Sequence, residues 1–489
     1  MWWLVILLAV LSWAFYIVLS LLAIFLAVIL IRALLFKPKA QPKILENEEK
    51  FDTDKAVDNL CQLVRCKTVS YRDSSLEDDS EFEKLVNMLP ELYPNVHSTC
   101  EFSRIPDRGL LFRWKGKNDG APAVLMAHYD VVPVNEDQWD VPAFEAIIKD
   151  GRVWGRGTLD TKVTFNGVLF AANHLIAEGF VPENDIYFAF SGGEEVNGRG
   201  AENIVDYFEK NGIEPAMVVD EGGAVVENVF PGVSAPCGLI GIAEKGLMDV
   251  QYTVKSGGGH ASAPKPKTPV DTLARACVKM VDNPFKAHLT APAAKMFDTL
   301  GRHSSFVFKI IFANIRIFLP VLDMICQKSG GELNALMRTT VAFTQMEGSK
   351  ASNVIPPQAS MVSNMRLNPE DNIDSALKYI TKTINDDKVE VSLIHGMEPS
   401  RISTTDCEGW ERVSSAVAST WKGCIVSPYL MVQCSDSRHY GRISDKVYRF
   451  SAMDLTAEER ATIHGNNESI RIETLCKAVE FYIRLMKQC

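Results

Sequence analysis

The chain has 489 residues, with 51 Lys and Arg against 61 Asp and Glu for a net charge of −10, and 47% of its residues are hydrophobic. That length exceeds one typical domain and supplies an ample core, while the acidic balance excludes a nucleic-acid footprint. The 11 cysteines are odd in number and scattered, without a C-x-x-C pair, so neither a disulfide framework nor a thiolate zinc site organises the fold.

Trp2 to Phe36 is almost wholly apolar, with no charge before Arg32. The run is too long for a signal-peptide core and lacks a basic leader and a small-residue cleavage site. It is long enough to cross a bilayer once, so residues 1–45 read as a membrane anchor and linker. Arg32, Lys37, Lys39 and Lys43 follow it. By the positive-inside rule they assign the body to the cytoplasm, with a lumenal or extracellular body as the alternative.

Beyond a polar linker at about 37–50 the pattern alternates. The sequence predicts a helix over 54–64, strands over 110–114 and 122–127, and a helix over 161–178 from the spacing of Val163, Val168, Leu169, Ala172, Leu175 and Ile176. Gly179 closes that helix. A strand over 185–190, a helix over 201–211 and a strand over 216–219 follow. Strand alternating with helix predicts an α/β domain with a mostly parallel sheet covered by helices.

A second unit is expected over 247–398. Strands over 250–254, 339–343, 359–367 and 389–394 and helices over 269–281 and 373–384 give the order β-α-β-β-α-β, that of an α+β ferredoxin-like sandwich. The chain then returns to the first domain over 399–489, which is thus split from its other part at 46–246. Inside the second unit, residues 284–336 form an unusual apolar block. Lys309, Arg316 and Asp323 argue against a membrane span there, and Pro320 should break any long helix.

The chemistry-bearing residues fall at or just past strand ends, the edge where open α/β sheets bind ligands. The apolar run Ala123–Ala127 ends in His128-Tyr129-Asp130. This puts an imidazole at a strand mouth with a carboxylate two residues on to accept its second N–H, as a metal-binding histidine requires. His-x-Asp by itself also describes a hydrogen-bonded surface histidine. Asp160 sits on a Gly-rich loop opening a helix, where a helix N-cap is the plainer role. Glu194-Glu195 follow Gly192-Gly193 at another strand end, and Asp220 and His464 occupy similar settings.

Taken together, His128-Tyr-Asp130, Gly155-Arg-Gly-Thr-Leu-Asp160-Thr-Lys, Gly192-Gly-Glu194-Glu195, Val218-Val-Asp220-Glu-Gly-Gly, Gly258-Gly-His260-Ala-Ser and Ile463-His464-Gly resemble the co-catalytic zinc peptidases of the aminoacylase/carboxypeptidase family. The likeness covers about residues 50–489 and points to the branch of carboxypeptidase S and the N-fatty-acyl-amino-acid synthase/hydrolases. Anchored relatives of this kind can face outward.

The resemblance implies two Zn²⁺ per chain, with Asp160 bridging and His128, Glu195, Asp220 and His464 as terminal ligands, His128 paired with Asp220 and Glu195 with His464. Glu194 becomes the proton shuttle and Asp130 the residue that orients His128. His260 stabilises the oxyanion, reaching the site of a neighbouring subunit in a homodimer. Asn353 and Arg366 contact the substrate, and Arg438 grips its carboxylate bidentately. Relatives often carry Gly-x-Thr-Asp-Ser-Arg where this chain has Gln433-Cys434-Ser435-Asp436-Ser437-Arg438, and a second acid where it has Thr161.

The implied activity is release of an amino acid from N-acyl amino acids or from the C-terminus of short peptides. A di- or tripeptidase of the aminopeptidase type, or a short-chain N-acetyl amino acid deacylase, is the alternative on the same fold. A binding protein that had lost activity would be expected to lack a ligand, and none is missing. The apolar block is either ordinary core or subunit interface, or a groove for a long acyl chain.

Overall fold

The computed structural model describes residues 2–489. α1 (Trp2–Leu35) is a single helix of 34 residues, about 50 Å long at 1.5 Å per residue, and long and apolar enough to cross a membrane. Within it, Ile29 and Ala33 alone are buried. The Ile29 carbonyl accepts from Asn314 Nδ2 at 3.2 Å. Residues 37–50 are strapped along the body rather than free. Lys39 pairs with Asp298 at 2.7 Å, Gln41 Oε1 accepts from Val426 N at 3.0 Å, and the Lys43 carbonyl accepts from Ser415 Oγ at 2.6 Å.

The first part of the body runs α2 (Thr53–Val64), α3 (Asp79–Leu92), α4 (Pro94–Thr99), β1 (Glu101–Ile105), β2 (Gly109–Trp114), β3 (Ala123–His128), β4 (Ile147–Lys149), β5 (Arg152–Trp154), α5 (Lys162–Ala177), β6 (Ile186–Ser191), α6 (Gly200–Lys210), β7 (Met217–Val226) and β8 (Cys237–Glu244). The middle part runs β9 (Gly246–Lys255), β10 (Gly259–His260), α7 (Pro269–Asp282), α8 (Ala291–Gly301), α9 (Phe306–Phe312), α10 (Ile315–Ser329), α11 (Gly331–Met337), β11 (Thr340–Glu347), β12 (Val354–Ile355), β13 (Gln358–Leu367), α12 (Ile373–Ile384) and β14 (Glu390–Met397). The chain closes with α13 (Glu408–Thr420), β15 (Ile425–Met431), β16 (Val447–Leu455), α14 (Ala457–Arg460), β17 (Ser469–Arg471) and α15 (Ile472–Met486).

The main sheet has the order β1-β2-β6-β3-β7-β16-β8-β15. Its centre, β6-β3-β7-β16, is parallel, as the alternation predicts. Elsewhere it is mixed: β1–β2 and β2–β6 are antiparallel, and so is β8 against β7 and β16. The β1–β2 link is a tight hairpin with Asp107 and Arg108 at φ 59° and 61°, and a hairpin can join only antiparallel strands.

The pleat distributes each strand between two cores. Leu125, Ala127, Phe188, Phe190, Met217 and Val219 enter the larger one, shared with α2, α5 and α15. Val124, Met126, Tyr187, Ala189 and Val218 face Ile204, Val205 and Phe208 of α6.

A second sheet, β11-β13-β9-β14, is antiparallel throughout, the strand order of a ferredoxin-like sandwich. It has its own core, in which Met248, Val250, Tyr252 and Met361 meet Leu273, Ala276, Ala376 and Ile380 of α7 and α12. The apolar block departs from expectation. Its helices α8–α11 leave that sandwich and send Ala293, Met296, Phe297, Leu300, Phe312 and Leu336 into the larger core of the main sheet. Pro320 lies inside α10 without ending it. One backbone hydrogen bond is lost near the first turns, while Leu322 still packs on the core and an Asp323–Arg338 ion pair ties the helix to the segment after α11.

Phe165 of α5 is fully buried, with ring centroids 4.4 Å from Phe190 and 5.8 Å from Tyr129. Phe165→Ala should cost about 3–5 kcal/mol, read as a lowered denaturation midpoint. A loss below about 1 kcal/mol would show that this layer is not tightly packed.

Candidate active site

β3 ends on His128 and β6 on Ser191, so the two adjacent parallel strands deliver His128 and the turn Gly192–Glu195 to one edge. Glycine is required in that turn, since a Cβ on Gly192 would lie 2.7 Å from Tyr129 Cζ. Asp130 is fully buried and joins the two segments. Its carboxylate accepts from the Glu194 and Glu195 amides at 3.1 and 3.3 Å, and its backbone carbonyl accepts from His128 Nδ1 at 3.0 Å. That bond orients the ring and leaves Nε2 facing Asp160 Oδ1 at 2.9 Å and Glu221 Oε1 at 3.4 Å.

Asp160 sits between two imidazoles. Its Oδ1 meets His128, and its Oδ2 meets His464 Nε2 at 3.1 Å. His464 also lies 3.0 Å from Glu195 Oε2. Asp160 is not a helix cap, because the N-cap of α5 is Thr161, so its carboxylate is free for the cluster. Two buried residues that sequence reasoning missed hold its loop. Glu468 Oε1 accepts from the Leu159 and Asp160 amides at 2.7 and 3.2 Å, and Glu468 Oε2 pairs with Arg156 at 2.6 Å. Arg156 also donates to the Gly465 carbonyl at 2.7 Å, next to His464. No motif flags Glu468, which lies in a plain Asn466-Asn467-Glu468 stretch.

Asp220 does not join this cluster, contrary to the sequence expectation. β7 does not end at 219 but continues to Val226, and the pleat sends alternate residues to opposite sides. Asp220 follows Val218 to the α6 side, where its Oδ2 accepts from Ser437 N at 2.9 Å. Burial and the nearby Asp436 carboxylate push its pKa up to about 6. Glu221 is the residue that faces His128. Strand alternation is the signal that could have found it, but only with the strand's true end and register in hand.

Two sets of potential donors have their atoms within 4.8 Å of one another: His128, Asp160 and Glu195, and His128, Glu194 and Glu221. Burial raises the Glu194 carboxyl well above its ordinary value, and burial also lifts Glu221 to about 8. Hydrogen bonds donated by its ring to the Asp160 and Glu195 carboxylates bring His464 up to about 10. Four crowded carboxylates outnumber two imidazoles, and Glu195 Oε1 is buried without a hydrogen-bond partner. Imidazole nitrogen and carboxylate oxygen are the donors of a divalent cation site, so these residues fit such a cation pair.

The other expected residues lie elsewhere. Arg438 is half-buried and donates to the Ser435 carbonyl at 2.8 Å and Asn197 Oδ1 at 3.2 Å, while its Nε is buried without a partner. Arg366 donates to Cys434 Sγ at 3.3 Å, linking the second sheet to the loop after β15. His260 and Asn353 are exposed on the β10–β12 ribbon, where the Asn353 carbonyl accepts from Ala261 N at 3.0 Å. They share one ribbon, and neither joins the carboxylate cluster.

A cavity of about 590 Å³ opens from the cluster. Asp160, Glu194, Glu221 and His464 line it together with the apolar Val229, Leu239, Met296, Leu333, Leu336 and Met453 and the polar Glu332, Gln433 and Arg460. The clustered donors and the cavity they open into have the make-up of a metal-dependent hydrolytic site.

The sequence comparisons place it more narrowly. Residues 124–488 match the model of peptidase family M20/M25/M40, and the chain belongs to this family. It is 34% identical over 436 residues to the probable carboxypeptidase S-like 2 of Dictyostelium discoideum, covering 88% of this chain and 84% of that protein. It is 32% identical over 478 residues to the N-fatty-acyl-amino acid synthase/hydrolase PM20D1 of Xenopus tropicalis, covering 95% and 93%. Among solved structures, the M20 family metallo-carboxypeptidase Sso-CP2 of Sulfolobus solfataricus shares the fold with a TM-score of 0.64 and 18% identity, over 88% of this chain and 98% of that one.

Removing Glu468 would leave Arg156 buried and unpaired, at a cost of about 3–5 kcal/mol, and would free the Asp160 loop. Glu468→Ala should therefore lower both stability and bound-metal content. Wild-type metal content at unchanged stability would mean that the pair does not hold the site.

Proposed function

We propose that the protein is a membrane-anchored di-zinc hydrolase that releases an amino acid from N-acyl amino acids with long acyl chains. The observation that carries this reading is the cavity that joins the carboxylate cluster to an apolar wall. One cation would be held by His128, Asp160 and Glu221, the other by His464, Asp160 and Glu195. Once bound, the pair would polarise the amide carbonyl and make a hydroxide available near neutral pH.

The chain's own groups do the rest. Glu194, its carboxyl raised by burial, takes the proton of the attacking water and delivers it to the departing amide nitrogen. Asp130 holds the Glu194 amide and the His128 ring in register. Arg438, through its unpartnered Nε, grips the α-carboxylate of the amino acid, and Arg366 borders the same loop. His260 and Asn353, exposed on their ribbon, serve the site of a second copy, where His260 stabilises the oxyanion. The acyl chain lies along Leu239, Met296, Leu333 and Leu336. α1 anchors the enzyme, and the basic cluster after it supports a body on the cytoplasmic side.

Glu194→Gln should keep both metal ions and lose roughly 10²-fold or more in kcat, measured by metal analysis alongside hydrolysis. Loss of metal, or near-normal turnover, would remove Glu194 from this role.

Each buried methylene contributes about 0.8 kcal/mol, so kcat/KM for N-acyl phenylalanines should climb from acetyl toward oleoyl until the cavity is full, measured below the micelle threshold. Leu336→Trp should shorten the preferred chain. A flat or falling series would discard the acyl cavity and favour a short-peptide carboxypeptidase, which a parallel panel of N-blocked and free dipeptides would reveal.

A further inference from the structure

The insert helices α9 and α10 expose apolar side chains that nothing among the described residues covers. Phe306 and Val307 are 46% and 69% exposed, and Ile317, Val321, Met324 and Ile325 are 44–52% exposed. The last four fall at i, i+4, i+7 and i+8, a single helical stripe. Soluble proteins rarely leave such a contiguous apolar patch open to water.

The patch is continuous with α1. α9 packs against α1, and Asn314, between α9 and α10, is buried and donates to the Ile29 carbonyl. On the same side, the Arg302 guanidinium lies 4.3 Å from the Phe36 ring centre. The end of α1 is thus seated on the insert.

The length of α1 sets the level at which this happens. The indoles of Trp2 and Trp3 suit the far membrane interface. Counted from them, a bilayer of about 40–45 Å including headgroups takes up about 28 residues of helix. It ends near Ile29, where Asn314 meets α1. The charges agree, since Phe306 to Ile325 contains the basic Lys309 and Arg316 and one acid, Asp323, which is paired with Arg338, and Arg32 and Lys37 lie close in sequence to the docked end of α1. Anionic headgroups attract such a set.

We propose that α9 and α10 form a platform embedded in the headgroup layer of a lipid bilayer, holding the body against the membrane beside α1. This rests on the reading of α1 as a membrane anchor. The same insert supplies Met296, Leu333 and Leu336 to the wall of the apolar cavity, so the platform places a lipid-facing surface and an acyl-sized cavity on one structural unit.

The test uses the full-length chain in nanodiscs of phosphatidylcholine and phosphatidylglycerol. A benzophenone amino acid replaces, one at a time, Leu11 in α1, Val307, Val321, and Leu76, an exposed apolar residue outside the patch. Lipid adducts at Leu11, Val307 and Val321 should exceed those at Leu76 several-fold. Adducts at Leu11 alone would overturn the platform and leave the anchor. Background at all three positions would overturn both. Cross-links between two copies through Val307 or Val321 would overturn the platform in favour of a subunit interface.

Discussion

The arrangement on which the rest depends is the sharing of Asp160 between two histidines, one carboxylate oxygen 2.9 Å from His128 and the other 3.1 Å from His464. The two histidines come from distant parts of the chain, one ending the central strand β3 and the other lying in the loop after α14. Asp160 can meet both because the Arg156–Glu468 pair fixes its loop and the neighbouring Gly465 backbone together. Asp130 plays the corresponding part for His128 and the Glu194–Glu195 turn. Burying this many carboxylates together is costly unless positive charge compensates them, and that cost is the physical argument for a cation pair.

Much of this was legible in the sequence because strand-plus-motif segments are local. Apolar runs ending in His128 and in Gly192–Glu195 placed these residues at one sheet edge, and the structure agrees. The β-α-β-β-α-β order foretold the second sheet with its strand order. What sequence reasoning missed depends on register and on distant packing. Glu221 rather than Asp220 meets His128 because β7 runs through the motif, and no local signal gave that strand its end. Glu468 and Arg156 are far apart in sequence and meet only in the folded core. The block 284–336 was assigned to the second unit by its position in the chain. Its apolar faces fit the larger core instead, and Pro320 was outweighed by the packing around α10.

That reassignment changes the functional picture. An apolar insert belonging to the second sheet's unit would have little reason to border the site. Packed on the main sheet, it supplies Met296, Leu333 and Leu336 to the cavity that opens on Asp160 and Glu194, while α9 receives the end of α1. The apolar side of the cavity and the seat of α1 are thereby built from one run of helices.

The most direct test of the account is anomalous diffraction at the zinc edge from crystals of the zinc-loaded protein. The account predicts two peaks flanking Asp160, one beside His128 and Glu221 and the other beside His464 and Glu195, with Asp220 contacting neither. A single peak, or a peak held by Asp220 in place of Glu221, would contradict it.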